Sequence, residues 1–232
     1  MEMHILINAV SVVLLFIMGS FIYQRKALDF LGSLVMIIMG IVILLSAGLR
    51  WLLIIVIFFL MSIAATYYSK DYKKRLGEFE GRRTAKNVIS NGVVAFVMAA
   101  FGGYYLPFVG GFIGAIATAT SDTLGSEIGI LSEPRLITTF KKVPAGTDGA
   151  VSVRGTVAGI IGAAIIGISA FLLGVLPDIW IALKISIISG TVGCLMDSLL
   201  GAVFERRRYL NNEHVNLLAT ITGCIVGILC AL

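Results

Sequence analysis

Long apolar runs, broken by short polar or basic stretches, recur from one end of the chain to the other. They fall at residues 5–23, 30–49, 51–68, 88–104, 106–121, 153–176, 179–204 and 215–232. Crossing a bilayer as a helix takes about 20 apolar residues, so the pattern predicts an all-α polytopic membrane protein with about eight transmembrane helices. Two junctions are short: Gly48-Leu49-Arg50 between the second and third runs, and residues 102–107 between the fourth and fifth. The first run begins after Met-Glu-Met-His, with no basic segment before it and no small-residue cleavage site, and is expected to be a retained helix.

Composition sharpens this picture. Of 232 residues, 58% are hydrophobic and 13% charged, where a soluble domain carries about a quarter charged residues. A single integral membrane domain is expected over 1–232. It comprises N-terminal helices with a basic loop (1–86) and a core that carries the polar motifs (87–218). All but two of the 18 Lys and Arg residues, Arg50 and Lys184, fall in odd-numbered connections between the runs. The positive-inside rule makes those connections cytoplasmic and both termini non-cytoplasmic. The net charge of +5 is accounted for by orientation and points to no nucleic acid. Asp71, Glu78 and Glu80, among the lysines and arginines of the third connection, read as a solvated charge cluster. Asp29 and Asp178 precede helix starts, where a carboxylate favours the dipole. Cys194, Cys224 and Cys230 read as small packing residues, and His4 and His214 are too few for a zinc site.

Two acidic residues stand apart. Asp122, in "IATATSDTLGSEIGILS" (116–132), and Asp197, in "GTVGCLMDSLLG" (190–201), lie near the cytoplasmic ends of the fifth and seventh runs. A carboxylate at that depth is costly and faces a bundle interior or a polar cavity. Both segments carry Asp-[Thr/Ser]-Leu at the same end of helices running in the same direction, the trace of a parallel repeat, where a divalent cation could bridge two carboxylates. Gly193 and Gly201 share a helix face with Asp197 and leave space there for another backbone or a ligand. After Glu127 comes "LITTFKKVPAGTDGAVSVRG" (136–155), whose glycines, hydroxyls and Lys141-Lys142 suit either a phosphate-binding loop or a positive-inside loop with turn glycines. Asn87 and Asn91, and likewise Asn212 and Asn216, lie four apart on their helices and need either a helix partner or a ligand.

Four segments in this order, "ATATSDTLGSEIGILS", "LITTFKKVPAGTDGAVSVRGT", "GCLMDSLLGAVFE" and "NNEHVNLLA", resemble the signatures of a membrane family that includes plant phytyl-phosphate kinase and animal transmembrane protein 19. Asp148 departs from the Asn or Ser found before Gly149 in many members. The resemblance implies phosphoryl transfer from a nucleoside triphosphate, CTP favoured, to an isoprenyl monophosphate at the cytoplasmic membrane face. In that reading Asp122, Glu127 and Asp197, with Asp148 as a fourth ligand, hold magnesium, a hard cation suited to oxygen ligands. Lys141, Lys142 and Arg154 hold phosphates. Ser121, Thr123, Ser126, Thr147, Ser198, Asn212 and Asn216 hydrogen-bond phosphate or ribose, and Asn87, Asn91, Gly146, Gly149 and Ser152 complete the nucleotide site. The acceptor oxygen of a prenyl phosphate is already ionised near neutral pH, so positioning and charge neutralisation are the tasks. Two other readings compete: a CTP-dependent nucleotidyltransferase acting on a lipid phosphate, and a transporter. Transport should place polar groups near the midplane and toward both faces, whereas these crowd one side.

Overall fold

The apolar runs become helices that meet around one central member. The structure, a computed structural model, describes residues 2–79, 81–102 and 105–232. Glu80 and the junction at 103–104 lie outside the described residues, as does Met1. The helices are α1 (Glu2–Gln24), α2 (Phe30–Ser46), α3 (Leu49–Tyr67), a short α4 (Lys70–Leu76), α5 (Ala85–Gly102), α6 (Leu106–Gly129), α7 (Val153–Leu172), α8 (Ile179–Leu200) and α9 (Asn212–Ala231). A π-helical turn, Gly201–Glu205, continues α8. Five of these segments are long and apolar enough to cross a membrane: Ile5–Gln24, Leu49–Tyr67, Val153–Leu172, Ile179–Glu205 and Asn212–Ala231. Phe30–Ser46 and Ala85–Phe101 are shorter apolar helices. The two carboxylates ahead of helix starts do cap them: Asp29 Oδ1 accepts from the Gly32 N–H at 2.6 Å, and Asp178 Oδ1 from the Ile181 N–H at 2.8 Å.

Helix α6 is the centre of the bundle, buried without a break from Gly110 to Ser121 and packed against α3, α5, α7, α8 and α9. Its sequence explains why. Gly110 and Gly114 face Gly227 and Gly223 of α9, a small-xxx-small seam on each helix, and a methyl group added at Gly114 would run into the Gly223 carbonyl. On α8, Gly190 lies against the Ala117 carbonyl and Gly193 against Thr118, whose hydroxyl donates to the Ser189 carbonyl at 3.0 Å. On α7, Gly155 lies against the Gly125 carbonyl and Gly159 against Ser121. With α6 surrounded by other helices, the polar stretch from Ser121 to Glu127 stays helical, and α6 runs on to Gly129 beyond the apolar run that ends at 121. Gly223→Ala should destabilise the bundle by about 1–3 kcal/mol, because the close backbone approach leaves an extra methyl nowhere to go. Thermal denaturation in detergent would read this as a lowered midpoint, and an unchanged midpoint would show that the seam yields easily.

The connections gather at the end of the bundle where α6 and α8 finish and α5, α7 and α9 begin. The fifth connection holds a two-residue hairpin, β1 (Arg135–Leu136) with β2 (Ala150–Val151), antiparallel with Arg135 opposite Val151 and Leu136 opposite Ala150. At the other end, Lys184 donates to the Cys230 carbonyl at 3.2 Å and so ties α8 to the last turn of α9.

Candidate functional site

Because α6 and α8 run side by side in the same direction, Asp122 and Asp197 arrive at one level. Their carboxyl groups lie within hydrogen-bonding reach of each other. Asp197 Oδ2 is buried with no hydrogen-bond partner among the described residues. Gly193 makes room for the Thr118 side chain of α6, and Gly201 lies against the Gly149 backbone of the fifth connection, so the space beside Asp197 admits a side chain on one side and a backbone on the other. Gly149 has φ +73° and sits so close to the Ala202 backbone that a side chain would collide with it. That crossing holds the 146–152 segment over the end of α8 and brings Asp148 in beside the carboxylate pair.

A cleft of about 350 Å³ opens around the pair. Of the residues expected in a site, it is lined by Asn87 and Asn91 of α5, and by Ser121, Asp122, Thr123, Ser126 and Glu127 of α6. Gly146, Thr147, Asp148, Gly149 and Ser152 line it from the loop, Asp197 and Ser198 from α8, and Asn212 and Asn216 from α9. Several of these have work within the fold. Asn87 Oδ1 accepts from the Thr84 N–H at 2.9 Å, closing the start of α5 as the third helical residue does in a capping box. Asn91 donates to the Asn87 carbonyl, and Asn216 to Asn212 at 2.8 Å. Ser152 caps α7 through the Gly155 N–H and donates to the Gly129 carbonyl at 3.3 Å.

Three expected phosphate ligands stand elsewhere. Lys141, Lys142 and Arg154 are exposed and do not line the cleft. Lys142 forms a single β-bridge with Arg135 and pairs with Glu133 on the outside of the connection; its hydrogen bond holds the Glu133 carboxyl below the usual range. Among the described residues, Arg83 is the one basic side chain that lines the cleft. Its backbone is fixed by the α1–α2 connection, donating to the Ala27 carbonyl and accepting from the Asp29 N–H. Nothing in the sequence separates Arg83 from its basic neighbours.

Glu127, expected as a metal ligand, has both oxygens engaged by protein. Oε1 accepts from the Thr66 hydroxyl at 2.6 Å with Arg83 at 3.5 Å, and Oε2 pairs with Lys73 at 2.7 Å. Lys73, expected in a solvated cluster, is wholly buried. Ser69 takes a left-handed conformation (φ +53°) that folds α4 back under the last turn of α3. There the Ala65 and Thr66 carbonyls accept from Lys73 at 2.7 and 3.3 Å, so two helix-end carbonyls and one carboxylate meet its three donors.

Among the described residues, six carboxylates (Glu78, Asp122, Glu127, Asp148, Asp197 and Glu205) and one guanidinium line the cleft. Such a cavity repels a bare polyanion and accepts one that arrives with cations. Magnesium usually takes one or two carboxylates and completes its shell with waters and phosphate oxygens. Asp122 and Asp197, with one oxygen buried and unpartnered, fit that donor set. Among the described residues no third His, Cys, Asp or Glu joins them as a ready-made centre.

Fold and site together define a polytopic helical membrane protein with an acidic polar cleft at one end of its bundle. The profile of the family described as integral membrane protein DUF92 matches residues 13–224, and the chain belongs to that family. An uncharacterized membrane protein of Methanocaldococcus jannaschii is 42% identical over 224 residues, 95% of this chain and 92% of that one. Protein PGR of Arabidopsis thaliana is 32% identical over 213 residues, covering 79% of this chain and 74% of its own. The chloroplastic protein VTE6 of the same plant is 32% identical over 200 residues, covering 79% and 58%. No solved structure matches.

Proposed function

We propose that the protein is a prenyl-phosphate kinase, moving the γ-phosphoryl group of a nucleoside triphosphate, CTP favoured, onto an isoprenyl monophosphate. One observation carries this reading: a facing pair of aspartates, one oxygen unpartnered, in an acidic cleft that also presents an arginine. The family signatures from Asp122 to Asn216 and the likeness to VTE6 support it. Asp122 and Asp197 would hold the magnesium ion, which when bound screens the triphosphate and the charge developing in transfer. Arg83 holds the lipid phosphate at the cleft edge. An oxygen of that phosphate attacks the γ-phosphorus, the bond to the bridging oxygen breaks, and the nucleoside diphosphate leaves. Glu127 is a positioning residue: held by Lys73 and Thr66, it fixes the guanidinium of Arg83. The positive-inside pattern supports a cytoplasmic orientation of this face.

Purified protein incubated with magnesium, each nucleoside triphosphate, and a panel of prenyl alcohols and monophosphates should yield the prenyl diphosphate. A CDP-lipid would reassign the chemistry to nucleotidyl transfer, and no product from any pair would remove the enzyme reading. In the same assay Arg83→Gln should lower turnover about tenfold or more, since a charge-assisted hydrogen bond contributes roughly 1.5–3 kcal/mol. The Lys141→Gln/Lys142→Gln double variant should lose much less. The reverse order would return phosphate binding to the loop lysines.

A further inference from the structure

Next to the polar cleft lies a second cavity, walled by α1, α2, α3 and α5 and almost entirely apolar. Met18, Met36, Met39, Phe58 and Phe59 are among its lining. Arg83, Asn87 and Asn91 border both cavities, so the apolar slot begins where the cleft presents its one cation. Two glycines open the slot. A side chain begun at Gly92 would meet Met39 Cε at 3.1 Å, and one begun at Gly40 would meet Leu15 Cδ2 at 3.1 Å.

We propose that this slot receives the isoprenoid chain of the lipid phosphate whose head lies at Arg83. The inference rests on the kinase reading and adds to it where the chain goes and which residues select its length. A single guanidinium between a polar and an apolar cavity matches a lipid with one anionic head and one chain. The methionines suit a methyl-branched chain, because an unbranched thioether side chain adapts to an irregular outline. Met39 stands opposite Gly92, and Ile43 and Leu52 line the slot beyond it, so bulk at position 39 narrows the way to the inner part.

The test uses the full-length protein in detergent and a prenyl phosphate carrying a diazirine at the far end of its chain. Light should attach it to peptides from α2 and α3, and unlabelled geranylgeranyl phosphate should compete while phosphatidic acid does not. Met39→Trp should cut kcat/KM for the C20 phosphate about tenfold or more relative to the C10 phosphate, the scale of losing a few methylene contacts in an apolar pocket. Met39→Ala should shift the ratio the other way. Labelling on α7 or α8, or labelling that no prenyl phosphate displaces, overturns the slot even if diphosphate forms. Competed labelling on α2 and α3 with no diphosphate from any nucleotide keeps the slot and sinks the kinase. Chain-length ratios unmoved by both Met39 variants would also overturn it.

Discussion

Asp197→Asn is expected to abolish magnesium-dependent turnover, by about a hundredfold or more, while the protein folds as before. The amide keeps the shape of the side chain and removes the charge that would hold the cation against the transferring group, an electrostatic contribution of the size seen when one transition-state contact is lost. Geometry gives the variant a second signature. Without magnesium, two carboxyl groups within hydrogen-bonding reach sit together by sharing a proton, and an amide at 197 replaces that hydrogen bond by donating to Asp122. The thermal midpoint of metal-free Asp197→Asn should therefore equal or exceed that of the parent, and magnesium should no longer raise it. Asp122→Asn should behave alike. Near-normal turnover in either variant removes that aspartate from the site, and a loss of activity accompanied by a collapsed midpoint would mean that the pair serves the fold.

The second large effect concerns Lys73. Lys73→Met leaves Glu127 in the bundle without its nearest cation and frees two helix-end carbonyls, so it should destabilise the protein by about 3–5 kcal/mol, the scale of breaking one side of a buried ion pair. Lys74→Gln removes the same formal charge from an exposed position over the Phe79 ring and should leave the melting profile almost unchanged. Combining Lys73→Met with Glu127→Gln should recover part of the loss, because the unpaired carboxylate goes with its partner. Equal losses from the Lys73 and Lys74 variants would show that the pairing contributes nothing beyond surface charge.

These two cases mark what the sequence could and could not tell. Helix positions followed from apolar runs, because a bilayer imposes length and hydrophobicity directly. Asp29 and Asp178 were readable as carboxylates at helix starts, because that placement is set by residues within one turn; the capping hydrogen bonds came with the structure. The meeting of Asp122 and Asp197 was foreshadowed by matched signatures on helices of the same direction. Lys73 was not readable: it sits in a run of cations, and only the left-handed turn at Ser69 and a glutamate on a distant helix single it out. Arg83 likewise gains its place from a backbone link to the α1–α2 connection. The Lys141-Lys142 pair shows the converse, since charge and nearby glycines suggested a phosphate cradle while the folded connection leaves both lysines exposed and away from the cleft. Gly149 and Gly155 were read as loop glycines, and both are sites of backbone crossing.

The glycine seam between α6 and α9 also constrains how the chain is made. Among the described residues, α6 is absent from the helices apolar enough to cross a membrane unaided, and it carries the hydroxyls and carboxylates of the cleft. Its closest neighbours, α7, α8 and α9, are all synthesised after it. During synthesis α6 therefore stays incompletely surrounded until α9 has emerged and can close against Gly110 and Gly114. The seam at Gly110 and Gly114 is thus completed by a helix that begins more than eighty residues later in the chain, so the cleft-bearing helix gains its tightest contacts late in synthesis.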